Sequence, residues 1–134
     1  MFFKILIGNN RYDWDGLIAI TSALKTTNAT LRVLNVDDPQ YKLPEQDFFT
    51  HFGKMFKDNE GLKKISMKQH KLRFEGVSIL TYYLQDNFKL EVLDLSANQI
   101  CFQGMMYLSE YLETTKTLKS IILAGNRIKE AGIL

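Results

Sequence analysis

The stretch "LEVLDLSANQICFQG", Leu90 to Gly104, sets Leu90, Leu93 and Leu95 at steps of three and two and follows them with Asn98, Ile100 and Gly104. Leu93 and Leu95 alternate with polar neighbours, the period-two signal of a short strand. After Gly104 the period changes. "GMMYLSEYLETTKT" places Met105, Leu108 and Leu112 at three- and four-residue steps, which is one apolar face of a helix. A strand, a turn carrying a fixed asparagine, and a helix make one unit.

The unit recurs, and self-similarity of this period decides the architecture. "LKSIILAGNRIKEAG" supplies Leu118, Ile121, Leu123, Asn126, Ile128 and Gly132 in the same places. "LKKISMKQHKLRFEG" supplies Leu62, Ile65, Met67, His70, Leu72 and Gly76, with histidine in the asparagine slot. "LRVLNVDDPQY" supplies Leu31, Leu34 and Val36, with Pro39 in the slot, and "FFKILIGNNRYDWDG" supplies Phe2, Ile5, Ile7, Asn10, Tyr12 and Gly16. The slot falls at 10, 39, 70, 98 and 126, steps of 29, 31, 28 and 28. Leu17, Ile20 and Leu24 predict a second helix face, Val77, Leu80 and Leu84 a third, and Phe52 with Phe56 one for the unit of Pro39. That unit runs through "DDPQYKLPEQDFF" with a second proline, and an irregular or protruding loop is expected there.

Strand and helix in strict alternation lay successive strands parallel through right-handed crossovers. The predicted fold class is therefore α/β: a curved solenoid of five units, with a parallel sheet on the concave face and helices on the convex face. Where each strand turns toward its helix, backbone groups point inward without ladder partners, and an amide side chain that both donates and accepts can bond the neighbouring turns. Asn10, Asn98 and Asn126 are expected to form such a ladder, with His70 serving in part.

Composition narrows the function classes. A chain of 134 residues, 46% hydrophobic and 24% charged, suffices for a single domain over 1–134 with its own core. Seventeen basic and fifteen acidic residues give a net charge of +2, too balanced for a dedicated nucleic-acid or membrane surface. The one cysteine, Cys101, cannot form an internal disulfide, which favours a reducing intracellular compartment or a fold that needs no stapling; it reads as a structural thiol, and the protein as intracellular and cytoplasmic. "MFFKILIGNN" has no basic leader and no small-residue cleavage site, and no apolar stretch reaches the roughly 20 residues of a membrane span.

The units resemble leucine-rich repeats of the ribonuclease-inhibitor-like family, whose units of about 28 or 29 residues carry LxxLxLxxNxI, a glycine and a full helix. The resemblance covers essentially the whole chain. It implies a horseshoe arc and a non-enzymatic protein-interaction scaffold without cofactors. A narrower group within the family, which "EQDFFTHFGKMFKDN", "KQHKLRFEG" and "LDLSANQICFQGMMYLSEYLE" resemble, implies a link to the nucleolus and ribosome production, and related repeats occur in ciliary axonemes. The chain departs from the family in size: it opens inside a strand and stops just past Gly132, so a longer solenoid with a truncated last unit is expected, or a partner that covers the ends.

No catalytic constellation appears: no GxGxxG, no HExxH, no paired CxxC and no GxSxG. His51 reads as a helix-surface residue. Adjacent Asp37 and Asp38 lack a spaced third metal ligand. Two residue sets are left for partner binding. On the concave face these are Val33, Asn35, Asp37, Lys64, Ser66, Lys68, Val92, Asp94, Ser120 and Ile122. Asp94 is expected to be solvent-exposed. Apolar Val33, Val92 and Ile122 fit a partner site, and they also fit a scatter of tolerated exposed aliphatics. On the rim, four residues after the slot, stand Trp14, Phe74 and Phe102, with Glu130 in the unit of Asn126. These rings either dock a partner or fold back over the helix N-termini. Lys63, Lys64, Lys68 and Lys71 beside aromatics motivate an RNA-binding alternative, against which the charge balance counts.

Overall fold

The computed structural model describes residues 4–26, 30–41 and 44–129. Phe2, Glu130, Gly132 and the side chains of Tyr12 and Tyr41 lie outside the described set. In chain order the elements are β1 (Lys4–Leu6), β2 (Arg11–Tyr12), α1 (Trp14–Thr26), β3 (Val33–Asn35), β4 (Gln40–Tyr41), α2 (Glu45–Asp58), β5 (Lys64–Ser66), α3 (Arg73–Leu84), β6 (Val92–Asp94), α4 (Phe102–Thr114) and β7 (Ser120–Ile122).

The three-residue strands form one parallel sheet in the order β1-β3-β5-β6-β7. Their register puts Lys4, Val33, Lys64, Val92 and Ser120 in one row, Ile5, Leu34, Ile65, Leu93 and Ile121 in the next, and Leu6, Asn35, Ser66, Asp94 and Ile122 in the third. Side chains alternate across a strand, so the middle row faces away from the other two. Leu34, Ile65 and Leu93 in that row are fully buried, and Ile5 and Ile121 pack partly against the same core. A slip of one residue would turn this row to solvent, which fixes the register.

The helices close the core on that side. Leu17 and Leu24 of α1, Val77, Leu80 and Leu84 of α3, and Leu108 of α4 are buried with the strand residues. α2 contributes the bulkiest layer, Phe48, Phe49, Phe52 and Phe56, with the Phe48 and Phe52 rings stacked at 4.6 Å. Neighbouring helices pack in chain order, α1 on α2, α2 on α3, α3 on α4.

Two local expectations need correction. The segment after Pro39 is not wholly irregular. β4 pairs in parallel with β2, through the bond from the Gln40 N–H to the Asn10 carbonyl at 2.8 Å, and Pro44 stands at the start of α2. A proline there costs nothing, because the first N–H groups of a helix have no intrahelical acceptor. In α4, Leu112 is 38% exposed and Tyr111, at 3%, takes the inward place. Among the described residues α4 is flanked by α3 alone, so the side that carries Leu112 has no covering helix.

Candidate functional site

The turn after each strand is built the same way. The residue immediately before the slot is left-handed every time: Asn9, Asp38, Gln69, Ala97 and Gly125, with φ between 49° and 71°. After it, the slot side chains of His70, Asn98 and Asn126 reach the backbone of the preceding unit. The Asn126 Oδ1 accepts from the N–H groups of Asn98 (2.9 Å) and Ile100 (3.0 Å), and its Nδ2 donates to the carbonyls of Leu95 and Leu123. One unit back, Asn98 accepts from the His70 N–H at 2.8 Å and donates to Met67 at 2.8 Å. His70 continues the series by donating from Nε2 to the Val36 carbonyl at 2.7 Å, and that acceptor fixes the tautomer. The Asn10 side chain donates within its own turn, to the carbonyls of Ile7 and Gly8.

His70 is 1% exposed, with the Phe48 and Phe49 rings 5.3 and 6.4 Å from its own. Burial lowers its pKa to about 4, opposed by the bond to Val36 and the charge of Asp37. The imidazole is neutral at physiological pH and acts as a ladder rung.

A second ladder, missed in the sequence, runs where each helix returns to a strand. The Asn59 Oδ1 accepts from the N–H groups of Gly61 and Leu62, and its Nδ2 donates to the Leu24 carbonyl at 2.6 Å. Asn87 repeats this with Lys89, Leu90 and the Phe56 carbonyl at 2.6 Å. Thr115 holds the third place and accepts from Thr117 and Leu118 at 3.4 and 3.3 Å. The signal is present in the sequence: each of the three stands three residues before the leucine that opens a unit. Asn28, equally placed before Leu31, lies outside the described residues.

On the sheet face turned away from the helices, the predicted residues divide by exposure. Lys64, Lys68, Ser120 and Ile122 are exposed, together with Leu6 at 61%, while Val33, Asn35, Asp37 and Val92 are half-buried. Ser66 and Asp94 are buried, at 5% and 6%, which corrects the expectation of an exposed Asp94. The physical reason is a polar network at the strand ends. The Asp37 Oδ1 accepts from the Ser66 hydroxyl (2.6 Å) and the Lys68 N–H (2.8 Å). Asp94 accepts from the Ser96 N–H and hydroxyl on Oδ1, while its Oδ2 lies 3.5 Å from the Lys68 Nζ. Asp37 is thereby engaged as a structural acceptor. Among the described residues no three His, Cys, Asp or Glu side chains gather as a metal-binding set, and no helix is long and apolar enough to cross a membrane.

The rim aromatics do not share one environment. Trp14 is 43% exposed and meets His51 of α2 edge-to-face at 5.4 Å, Phe74 is half-buried, and Phe102 is 60% exposed. His51 is likewise half-buried. The free thiol of Cys101 is buried at the start of α4.

These features define an α/β protein with four helices and a five-stranded parallel sheet among its described residues. No protein-family model matches the chain, and no curated protein matches it.

Proposed function

We propose that the chain is an arc of a ribonuclease-inhibitor-like leucine-rich repeat solenoid and serves as a non-enzymatic scaffold that binds another protein. The observation that carries this reading is the sheet face opposite the helices. Leu6 and Ile122 lie exposed on it and Val33 and Val92 half-exposed, and no helix among the described residues packs over it. Aliphatic side chains on an uncovered face gain by burial against a partner, and a sheet held by ladders at both ends offers them without ordering cost. The in-register strands and the Asn98 and Asn126 rungs support the solenoid reading. Trp14 and Phe102 extend the surface at the rim.

The test is affinity purification of the tagged chain with mass spectrometry, repeated with Val92→Glu and Ile122→Glu combined. Loss of the co-purifying proteins is expected. Unchanged recovery from a variant with native circular dichroism removes the sheet face from the binding surface.

A further inference from the structure

We infer that the uncovered sheet face takes an acidic, aliphatic segment of its partner protein, held by a lysine field around Lys4 and Lys64. The inference rests on the partner-binding reading above and gives that surface a chemistry. In the first row of the sheet, cations and aliphatics alternate: Lys4, Val33, Lys64, Val92, then Ser120. Strands lie about 4.8 Å apart, so Lys4 and Lys64 stand roughly 10 Å from each other with a valine between them. Both are exposed.

The carboxylates of this face are already committed. Asp94 is buried beside Lys68, and Asp37 holds Ser66 and the Lys68 backbone. Glu91, just ahead of the first row, is bound by Lys119 at 2.6 Å. Neither Lys4 nor Lys64 has a carboxylate within 4.0 Å among the described residues. The face therefore presents net positive charge interleaved with Leu6, Val33, Val92 and Ile122. A segment with both carboxylates and aliphatic side chains complements it on both counts.

The other occupants fit less well. Single-stranded nucleic acid gains its affinity from stacking on aromatics, and these rows contain none. Two copies placed face to face by a two-fold axis would set lysine rows against lysine rows.

Fluorescence anisotropy with the full chain tests this. The probes are a labelled short peptide of alternating Glu with Leu and Val, the same peptide with Lys for Glu, and a labelled oligouridylate. The Glu peptide is expected to bind saturably and to weaken with rising salt, and Lys4→Glu combined with Lys64→Glu is expected to weaken it about tenfold. Equal binding of the Lys peptide, tighter binding of the oligouridylate, no saturable binding of the Glu peptide, or indifference to the charge reversal overturns the inference. So does a dimer in sedimentation that the charge reversal dissolves or tightens. If Val92→Glu with Ile122→Glu abolishes partner recovery while the lysine reversal leaves it intact, the face reading stands and the acidic chemistry falls.

Discussion

Asn98 ties three turns of chain together, its side-chain Oδ1 accepting from the backbone N–H of His70 at 2.8 Å while its backbone N–H donates to the Oδ1 of Asn126 at 2.9 Å. It is fully buried. Replacing it with alanine strands the His70 N–H and the Met67 carbonyl away from water, and an unsatisfied buried polar group costs about 1–3 kcal/mol. Asn98→Ala is expected to lose about 2–4 kcal/mol in urea unfolding. Asn10→Ala, which removes only local bonds at an exposed turn, serves as the control and is expected to lose under about 1 kcal/mol.

His70 makes stability depend on pH in a defined direction. The folded imidazole stays neutral down to about pH 4, while an unfolded one protonates near 6.5. Between these values the unfolded state binds the extra proton, so stability is full above 6.5 and falls as the pH drops toward 4. The slope reaches about 1.4 kcal/mol per pH unit and the whole loss is roughly 3 kcal/mol. His70→Asn places in the slot the amide found at Asn98 and Asn126 and removes the titration. Urea unfolding between pH 7 and 4 is expected to show a shallower loss for this variant, by close to one proton's worth of slope.

The repeated core is legible in the sequence because each apolar position has one environment. Leu34, Ile65 and Leu93 recur at the fourth place of a unit, and the structure buries all three in one row. The slot was legible for the same reason. The second ladder was not, since Asn59 and Asn87 sit in polar stretches that read as ordinary loops, and the residue type changes at Thr115. Exposure on the sheet face is harder still to read. Asp94 and Ser66 occupy strand positions that alternate outward, yet Lys68 closes over Asp94 and Asp37 over Ser66, each from the neighbouring unit. Burial of that kind depends on side chains one unit away rather than on the strand's own pattern.

Ala97 carries backbone strain that its counterpart avoids. Its φ is 56°, and the same place one unit later is Gly125 at 71°. A Cβ in the left-handed region costs roughly 1–2 kcal/mol, part of which glycine gives back through its freer unfolded chain. Ala97→Gly is expected to raise stability by about 0.5–1 kcal/mol. A lower urea midpoint for this variant would show that the Ala97 methyl, close to Gly125, contributes packing that outweighs the strain.

Close packing accounts for the motif glycines Gly76 and Gly104. A Cβ built on Gly76 would lie 2.8 Å from both the Leu72 Cδ2 and the Phe49 Cε2, two buried side chains with little room to move. Overpacking of this kind costs about 1–3 kcal/mol. Gly76→Ala is expected to fall in that range despite alanine's better helix propensity. At Gly16 the nearest atom is the exposed Asp13 Oδ1 at 3.2 Å, so Gly16→Ala is expected to change stability by less than half as much in the same measurement.

Thr115 is the weak rung of the second ladder and the place to strengthen the fold. Its backbone, φ −66° and ψ 138°, is close to that of Asn59 at −77° and 126°, and both N–H groups bond the carbonyl four residues back at 2.9 Å. An asparagine at 115 could therefore adopt the conformation seen at 59. Its Oδ1 would take over the long bonds from Thr117 and Leu118, now 3.4 and 3.3 Å. Its Nδ2 would reach the carbonyl of Leu84, the counterpart of Phe56, which Asn87 holds at 2.6 Å. A net hydrogen bond contributes about 0.5–1.5 kcal/mol, so Thr115→Asn is expected to stabilise by about 1 kcal/mol. Hydrogen exchange sharpens the outcome: the amides of Thr117 and Leu118 should gain protection, and a variant without that gain would show the threonine to be held by packing rather than by its hydroxyl.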